Sequence, residues 1–220
     1  MRAILYLLLG VFLSGCNIPL AKEEKPVGAA RLAVLAGRLA DDDPDVRFQA
    51  RCALIRKGRA AVPVLVEGLR GTNSVVWYEA ASALCAMKGV SREEAVPGLI
   101  RVLKEGDAAT QHIALQALSS IGRPAREAGP LLQALLREEQ SPVCPRAARA
   151  LARILGSGAV PFLVEALKSA KTRIEALEAL AELGPAAGEA IPAVETLLGD
   201  NDPQVRRVAT QTLRHLRGRT

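Results

Sequence analysis

The tripeptide Ala61-Val62-Pro63 decides the fold of this chain, because near-copies of it return along most of its length. The copies are Ala95-Val96-Pro97, Ala128-Gly129-Pro130, Ala159-Val160-Pro161 and Ala190-Ile191-Pro192. Their prolines follow one another at steps of 34, 33, 31 and 31 residues. Such a period is typical of stacked repeats, in which each unit buries its apolar face against its neighbours.

A second phrase, Ala-x-x-Ala-Leu, precedes each proline and predicts a helix. Its copies begin at Ala50, Ala80, Ala114, Ala147 and Ala176, with a weaker last copy at Ala209. The i, i+3, i+4 spacing places these side chains on one helical face. A glycine that can close a helix in a left-handed conformation follows each copy. These glycines are Gly58, Gly89, Gly122, Gly156, Gly184 and Gly218. Since proline is tolerated in the first turn of a helix, each unit is predicted to be helix, tight turn, helix.

The turn Asp41-Asp42-Asp43-Pro44-Asp45, followed by Val46-Arg47, resembles the HEAT repeat, and the end of the chain repeats it as Asp200-Asn201-Asp202-Pro203 with Arg206. The resemblance is closest to the short bacterial subtype known from phycobilin-lyase subunits. It implies an all-α, right-handed α-solenoid of about six two-helix units, with an armadillo-type fold over residues 28–220. In HEAT proteins the Asp and Arg of this motif form a ladder between neighbouring units, so the resemblance implies a structural role for the two arginines.

The N-terminal segment predicts export and lipidation. Arg2 provides a positive start, and an apolar stretch too short for a comfortable membrane span ends in Leu13-Ser14-Gly15-Cys16. This ending resembles the lipobox of bacterial lipoproteins. It implies a signal peptide over residues 1–15, a lipid on Cys16, and a lipidated tether over residues 16–27. The expected location is the bacterial cell envelope, facing the periplasm. The alternatives are an ordinary secretory signal with a chance cysteine, or an uncleaved anchor.

Five residues of the second helices are candidates for partner binding: Phe48, Trp77, Tyr78, Gln111 and His112. In HEAT stacks the second helix of each pair lines the concave face, and rigid aromatic side chains are favoured anchors at interfaces. Trp77, Gln111 and Cys144 also replace the motif arginine in the middle units. The alternative interpretation is that Phe48 and Trp77 fill gaps in an alanine-rich core, and that the middle units are merely degenerate.

The sequence predicts a non-catalytic, membrane-anchored scaffold that binds an unknown protein partner. The two histidines, His112 and His215, are far apart in sequence and neither has a neighbouring carboxylate, so no catalytic residue, metal ligand or cofactor is predicted. Export argues against nucleic-acid binding despite a net charge of +6, and no small-molecule substrate is evident. The alternatives are an enzyme accessory or lyase-like subunit, and a structural spacer without a specific ligand.

Overall fold

The computed structural model describes residues 28–88, 92–138 and 144–218, which form twelve α-helices in six pairs and contain no β-strand. The first helices of the pairs are α1 (Ala29–Gly37), α3 (Val62–Arg70), α5 (Val96–Glu105), α7 (Gly129–Arg137), α9 (Val160–Ala166) and α11 (Ile191–Glu195). The second helices are α2 (Pro44–Lys57), α4 (Ser74–Ala86), α6 (Ala108–Ile121), α8 (Cys144–Leu155), α10 (Arg173–Leu183) and α12 (Pro203–Leu216). The predicted all-α solenoid is confirmed. The predicted signal peptide, Cys16 and tether lie outside the described residues.

The repeated tripeptide starts the first helix of five units, as predicted. In α3, α5, α7, α9 and α11 the proline lies in the first turn, where a missing backbone N–H costs no intrahelical hydrogen bond. The alanine of each tripeptide ends a short 3₁₀ turn and is fully buried. Because protein interiors are closely packed, a larger side chain at these fully buried positions would displace its neighbours.

The Ala-x-x-Ala-Leu faces form the core between neighbouring helices. The repeated alanines and leucines of these phrases, with Thr212 in the last copy, are buried except Ala53, which is partly exposed in the first unit. The small side chains let consecutive second helices pack side by side, from α2 through α12. The second helices therefore form one continuous surface of the stack, and the first helices form the other.

The glycines that end the second helices have backbone angles that L-residues rarely adopt. Gly58, Gly122, Gly156, Gly184 and Gly218 all have positive φ, between 55° and 75°. Their ψ values, where helices α2, α6 and α10 end, lie between −134° and −140°, which is the mirror image of extended backbone and not the left-handed helical region that the sequence predicted. The sixth predicted glycine, Gly89, lies outside the described residues.

A buried arginine from the following segment contacts the end of the second unit. Arg92 is 8% exposed, and its guanidinium donates hydrogen bonds to the backbone oxygens of Leu84 and Cys85 near the end of α4. It also donates to the backbone oxygen of Ser120 at 3.0 Å, near the end of α6. One side chain thus satisfies the terminal carbonyls of two neighbouring helices and joins the second unit to the third.

The stretch Cys144–Ala166 is long and apolar enough to cross a membrane by length and composition alone. It contains the turn Gly156–Ala159 between α8 and α9, and half of its most apolar part is buried inside the protein. These properties are typical of a core segment.

Candidate functional site

The surface of the second helices carries an open groove of about 600 Å³ in its middle. We call it the central groove; it extends from the end of α4 across α6 and α8 to α10. Residues that line it include Cys85, Gln116, Ser119, Arg146, Arg149 and Glu175. Polar and charged side chains thus converge on one concavity, and binding sites are usually concave.

At the α8–α10 end of the central groove, a row of arginines faces a row of glutamates. Arg149 Nη2 lies 2.6 Å from Glu178 Oε2, and Arg149 Nε lies 3.0 Å from Glu182 Oε1. Arg153 Nε lies 3.3 Å from the other oxygen of Glu182. These pairs link α8 to α10, and because all four side chains are well exposed, each pair contributes little to stability.

His112 lies on α6 beside the central groove and is half-buried. Its Nε2 is 3.0 Å from the side-chain nitrogen of Gln116, which lines the groove. Burial lowers the pKa of His112, and the positive charge of Arg146 lowers it further. The imidazole is therefore neutral at pH 7, and its hydrogen-bond partner is an amide that cannot accept its proton during a reaction.

The thiol of Cys85 forms part of the groove lining, where it lies near Arg92 and Ser120. Burial raises the pKa of this thiol, although the hydrogen bond with Ser120 and the charge of Arg92 oppose the change. A thiol with a raised pKa carries little of the reactive thiolate at neutral pH. Among residues 28–88, 92–138 and 144–218, no three His, Cys, Asp or Glu side chains form a group that could hold a metal ion.

The five predicted binding residues lie on three consecutive second helices, α2, α4 and α6. Phe48 on α2 and Tyr78 on α4 are 50% and 40% exposed, so both are accessible at one end of the surface. Gln111 and His112 are half-buried on α6. None of the five lines the central groove, which His112 reaches only through its contact with Gln116. Their role in binding stays a prediction.

Trp77 is buried, with 7% of its surface exposed, so it adds almost nothing to the accessible face. Its indole Nε1 donates a 3.0 Å hydrogen bond to the backbone oxygen of Gly71, in the turn between α3 and α4. The guanidinium of Arg101, from α5, lies 5.4 Å from the centre of its ring. Arg101 also donates to the oxygens of Leu69 and Gly71. The side chain is thus buried against the α3–α4 turn and Arg101 of α5, as the gap-filling interpretation expects.

The motif arginines Arg47 and Arg206 stabilise the turns of their own units. Arg47 donates to the backbone oxygens of Asp41 and Asp42 at 2.7 and 2.9 Å. Arg206 makes the equivalent bonds to Asp200 and Asn201, at 2.6 and 3.0 Å. Each arginine closes the turn that precedes its helix. Both arginines therefore have the structural role that the resemblance implies, although these hydrogen bonds lie within one unit.

Two contacts between units involve this column of arginines. Arg173 pairs with Asp200 of the next unit at 2.8 Å, which is the expected Arg–Asp link. The arginines of the first unit have a glutamate of the second unit as their partner. Glu79 on α4 lies 2.6 Å from Arg51 and 3.6 Å from Arg47. Glu79 is only 7% exposed, so its charge is stabilised by both guanidinium groups.

Sequence reasoning missed the charged rows of α8 and α10. Arg146, Arg149 and Arg153 repeat at i, i+3 and i+7, as do Glu175, Glu178 and Glu182 in the next second helix. This spacing places each row on one side of its helix. The signal is present in the sequence, whereas the predicted binding residues are the aromatic residues of the first two units with Gln111 and His112 of the third.

Comparison with known families finds one match: a model described as HEAT repeats matches residues 62–152, 96–172 and 160–219. Together these ranges include most of the chain. A comparison with curated proteins finds no match.

Several solved repeat proteins are similar in fold. One engineered protein is 25% identical, with a TM-score of 0.54 over 86% of this chain and 97% of its own. A second is 26% identical, with a TM-score of 0.56 over 85% and 98%. A designed armadillo repeat protein, solved in complex with the peptide (KR)4, is 20% identical, with a TM-score of 0.56 over 84% and 99%. At this level of identity, the armadillo protein supports the fold alone.

Proposed function

Because the chain belongs to the HEAT-repeat family, we propose that it binds a protein partner along its second helices, with the central groove as the contact site. HEAT and armadillo-type solenoids are generally used for protein interaction. The observation that carries the proposal is the central groove itself, a concavity of about 600 Å³ shared by four consecutive second helices. A site that extends over several units is suited to an extended partner segment.

The chemistry of the central groove supports binding without catalysis. Its arginines and glutamates are largely engaged with one another, as in the pair of Arg149 and Glu178. The thiol of Cys85 has a raised pKa, and the nearby His112 has no carboxylate partner in its hydrogen bond. A hydrolase or transferase site needs a nucleophile or base that is activated by a neighbour. The accessory or lyase-like alternative stays a prediction.

We further propose that the protein is held at a bacterial membrane through a lipid on Cys16. The support is the sequence Leu13-Ser14-Gly15-Cys16 after a short apolar stretch. The eleven residues 17–27 reach about 35–40 Å when extended, so the binding surface would stay close to the membrane. Loss of a fatty-acid label in Cys16→Ser would support the anchor, and a label that survives this substitution would contradict it.

Crosslinking inside the native host tests the partner-binding role. A photo-crosslinking amino acid in place of Gln116 probes the central groove, and the same amino acid in place of Arg137, on α7, probes the opposite surface. We expect a defined protein to crosslink from position 116 and to be absent from position 137. Equal products from both positions, or no product from position 116, would show that the groove is not the contact site.

A further inference from the structure

The two charged rows across the central groove are not fully paired. Arg149 and Arg153 on α8 form ion pairs with Glu178 and Glu182 on α10. The first members of the two rows, Arg146 and Glu175, have the same spacing along their helices. Among the described residues, however, neither side chain takes part in an ion pair. One arginine and one glutamate of opposite charge are thus left in the groove lining without a charged partner.

Both side chains are accessible from the groove. Arg146 is exposed, Glu175 is partly exposed, and both belong to the lining. The neighbouring groups do not cancel these charges. His112 is neutral at pH 7, because burial and the charge of Arg146 lower its pKa. Gln116 and Ser119, on α6, contribute neutral hydrogen-bonding groups. The groove therefore presents a positive point and a negative point on adjacent helices.

The separation of these points matches an extended polypeptide. Axes of packed helices lie about 8–10 Å apart. Side chains at i and i+2 of an extended segment point to the same side and are about 6.5–7 Å apart, and long side chains can cover the difference. The groove crosses four second helices, which is about 25–30 Å at this spacing. That length favours a segment of about eight residues over a single small molecule.

We propose that Arg146 and Glu175 select an extended segment of the partner that carries an acidic and a basic side chain two residues apart. The acidic side chain binds Arg146, and the basic side chain binds Glu175. Arg149 and Arg153 do not discriminate in this way, because their charges are already balanced by glutamates of this chain. This inference rests on the proposed function, since it assumes that a protein segment occupies the central groove.

Fluorescein-labelled peptides of eight residues test the charge rule, with the full chain kept in detergent micelles. The peptides share neutral flanks and carry Glu-Ala-Lys, Lys-Ala-Lys, Glu-Ala-Glu or Gln-Ala-Gln at their centre. We expect Glu-Ala-Lys to bind most tightly by fluorescence anisotropy. Its affinity should fall as NaCl increases, because salt screens exposed charges.

Charge reversals should change the preference in a defined direction. Arg146→Glu should lower the affinity for Glu-Ala-Lys about tenfold and make Lys-Ala-Lys the better ligand, because an attraction becomes a repulsion. Glu175→Lys should favour Glu-Ala-Glu instead. The matched controls are Arg126→Glu and Glu189→Lys, which make the same changes at exposed positions in turns outside the groove lining. The controls should leave the order of the four peptides unchanged.

Equal binding of all four peptides, or no binding, would overturn the charge rule, as would a preference that survives both reversals. The crosslinking result separates this failure from failure of the proposed function. If position 116 still crosslinks a defined protein, the groove binds a partner but does not select it by these charges. If neither the crosslink nor peptide binding is seen, both the charge rule and the proposed function are wrong.

Discussion

The second unit and the two end units close their turns with different side chains. In the first and last units, Arg47 and Arg206 hold the turn between the paired helices by donating to two backbone oxygens each. In the second unit the indole of Trp77 donates to Gly71, at the same sequence distance, and Arg101 from the next unit completes the contact. A backbone carbonyl near a helix end needs a donor, but the donor can be an arginine or a tryptophan.

The junctions between units are held both by glycine backbone geometry and by a buried arginine. The second helix of the first unit ends at Gly58 and that of the last unit is followed by Gly218, and both glycines have positive φ. At the end of the second unit, Arg92 donates to the carbonyls of α4. The difference matters for stability: the turn arginines of the end units are partly buried (Arg47) or exposed (Arg206), whereas the second unit uses buried side chains that connect it to the third.

Among the side chains that hold these junctions, Trp77 should contribute most to the stability of the protein. Trp77→Ala removes a buried aromatic side chain and leaves a cavity, so we expect the free energy of unfolding to fall by about 3–5 kcal/mol. Trp77→Phe keeps most of the packing and removes the hydrogen bond to Gly71, which should cost about 1 kcal/mol. Urea denaturation followed by circular dichroism measures both. The adjacent exposed Tyr78 is the control, and Tyr78→Ala should change stability by no more than about 0.5 kcal/mol.

Trp77 also shows which features of the fold could be predicted from the sequence and which could not. The proline period correctly located the start of α5 at Val96-Pro97, because helix-start chemistry is local. The column that contains Arg47 and Trp77 was also identified correctly, since it follows from the repeat spacing. That both side chains turn back to carbonyls of the preceding turn was not predicted, because the two residue types have little in common except an N–H donor.

The central groove was harder to predict for a different reason. The sequence places Arg146 opposite Glu175 and Arg149 opposite Glu178, with the same spacing in each helix. Only the second of these pairs is closed, at 2.6 Å. Whether such an ion pair forms depends on side-chain rotamers and on differences of about an ångström in helix separation. The spacing of residues in the sequence does not determine either of these.

Arg92 should have the second-largest effect. Arg92→Ala removes a buried donor that serves carbonyls of both α4 and α6, so we expect a loss of about 2–3 kcal/mol. Hydrogen exchange should show faster exchange at the ends of these helices than elsewhere in the stack. Arg126→Ala is the control, because Arg126 is exposed in a turn and should have almost no effect. Equal exchange at the ends of α4 and α6 in both variants would show that Arg92 does not hold this junction.

The glycine junction of the first unit should be sensitive to backbone geometry alone. An added Cβ at Gly58 would meet no atom within 4 Å, but the φ of +55° disfavours any L-side chain. Gly58→Ala should therefore destabilise the protein by about 1–3 kcal/mol through backbone strain. Gly188 also has open space around it and no positive φ, so Gly188→Ala should stabilise by about 0.4–1 kcal/mol. Thermal unfolding of the two variants should shift in opposite directions, and a shift in the same direction would contradict the strain argument.

The turn of the last unit should be less sensitive, because its arginine is exposed. Arg206→Ala removes two hydrogen bonds to backbone oxygens that water can partly replace, so we expect a loss of about 1 kcal/mol. Arg207→Ala is the matched control at the next residue, which is also exposed. Urea denaturation should separate the two variants. Equal stability would show that the arginine is dispensable for this turn, in contrast to Trp77 in the second unit.

The smallest expected effect is on the pH dependence of stability. It is tested with one histidine of a middle unit and one of the last unit. Because burial and Arg146 lower the pKa of His112, the folded protein disfavours the protonated imidazole. The unfolded chain binds this proton below about pH 6.5, so the contribution of His112 is complete above that pH and is lost as pH falls through the lower folded-state pKa. His112→Gln should therefore reduce the slope of stability against pH in this window. Arg146→Ala should reduce it partly, because the charge of Arg146 is the second cause of the shift. His215→Gln, at an exposed position of α12, is the control. If His112→Gln and His215→Gln give the same pH profile from pH 5 to 7, the environment of His112 does not disfavour its protonation.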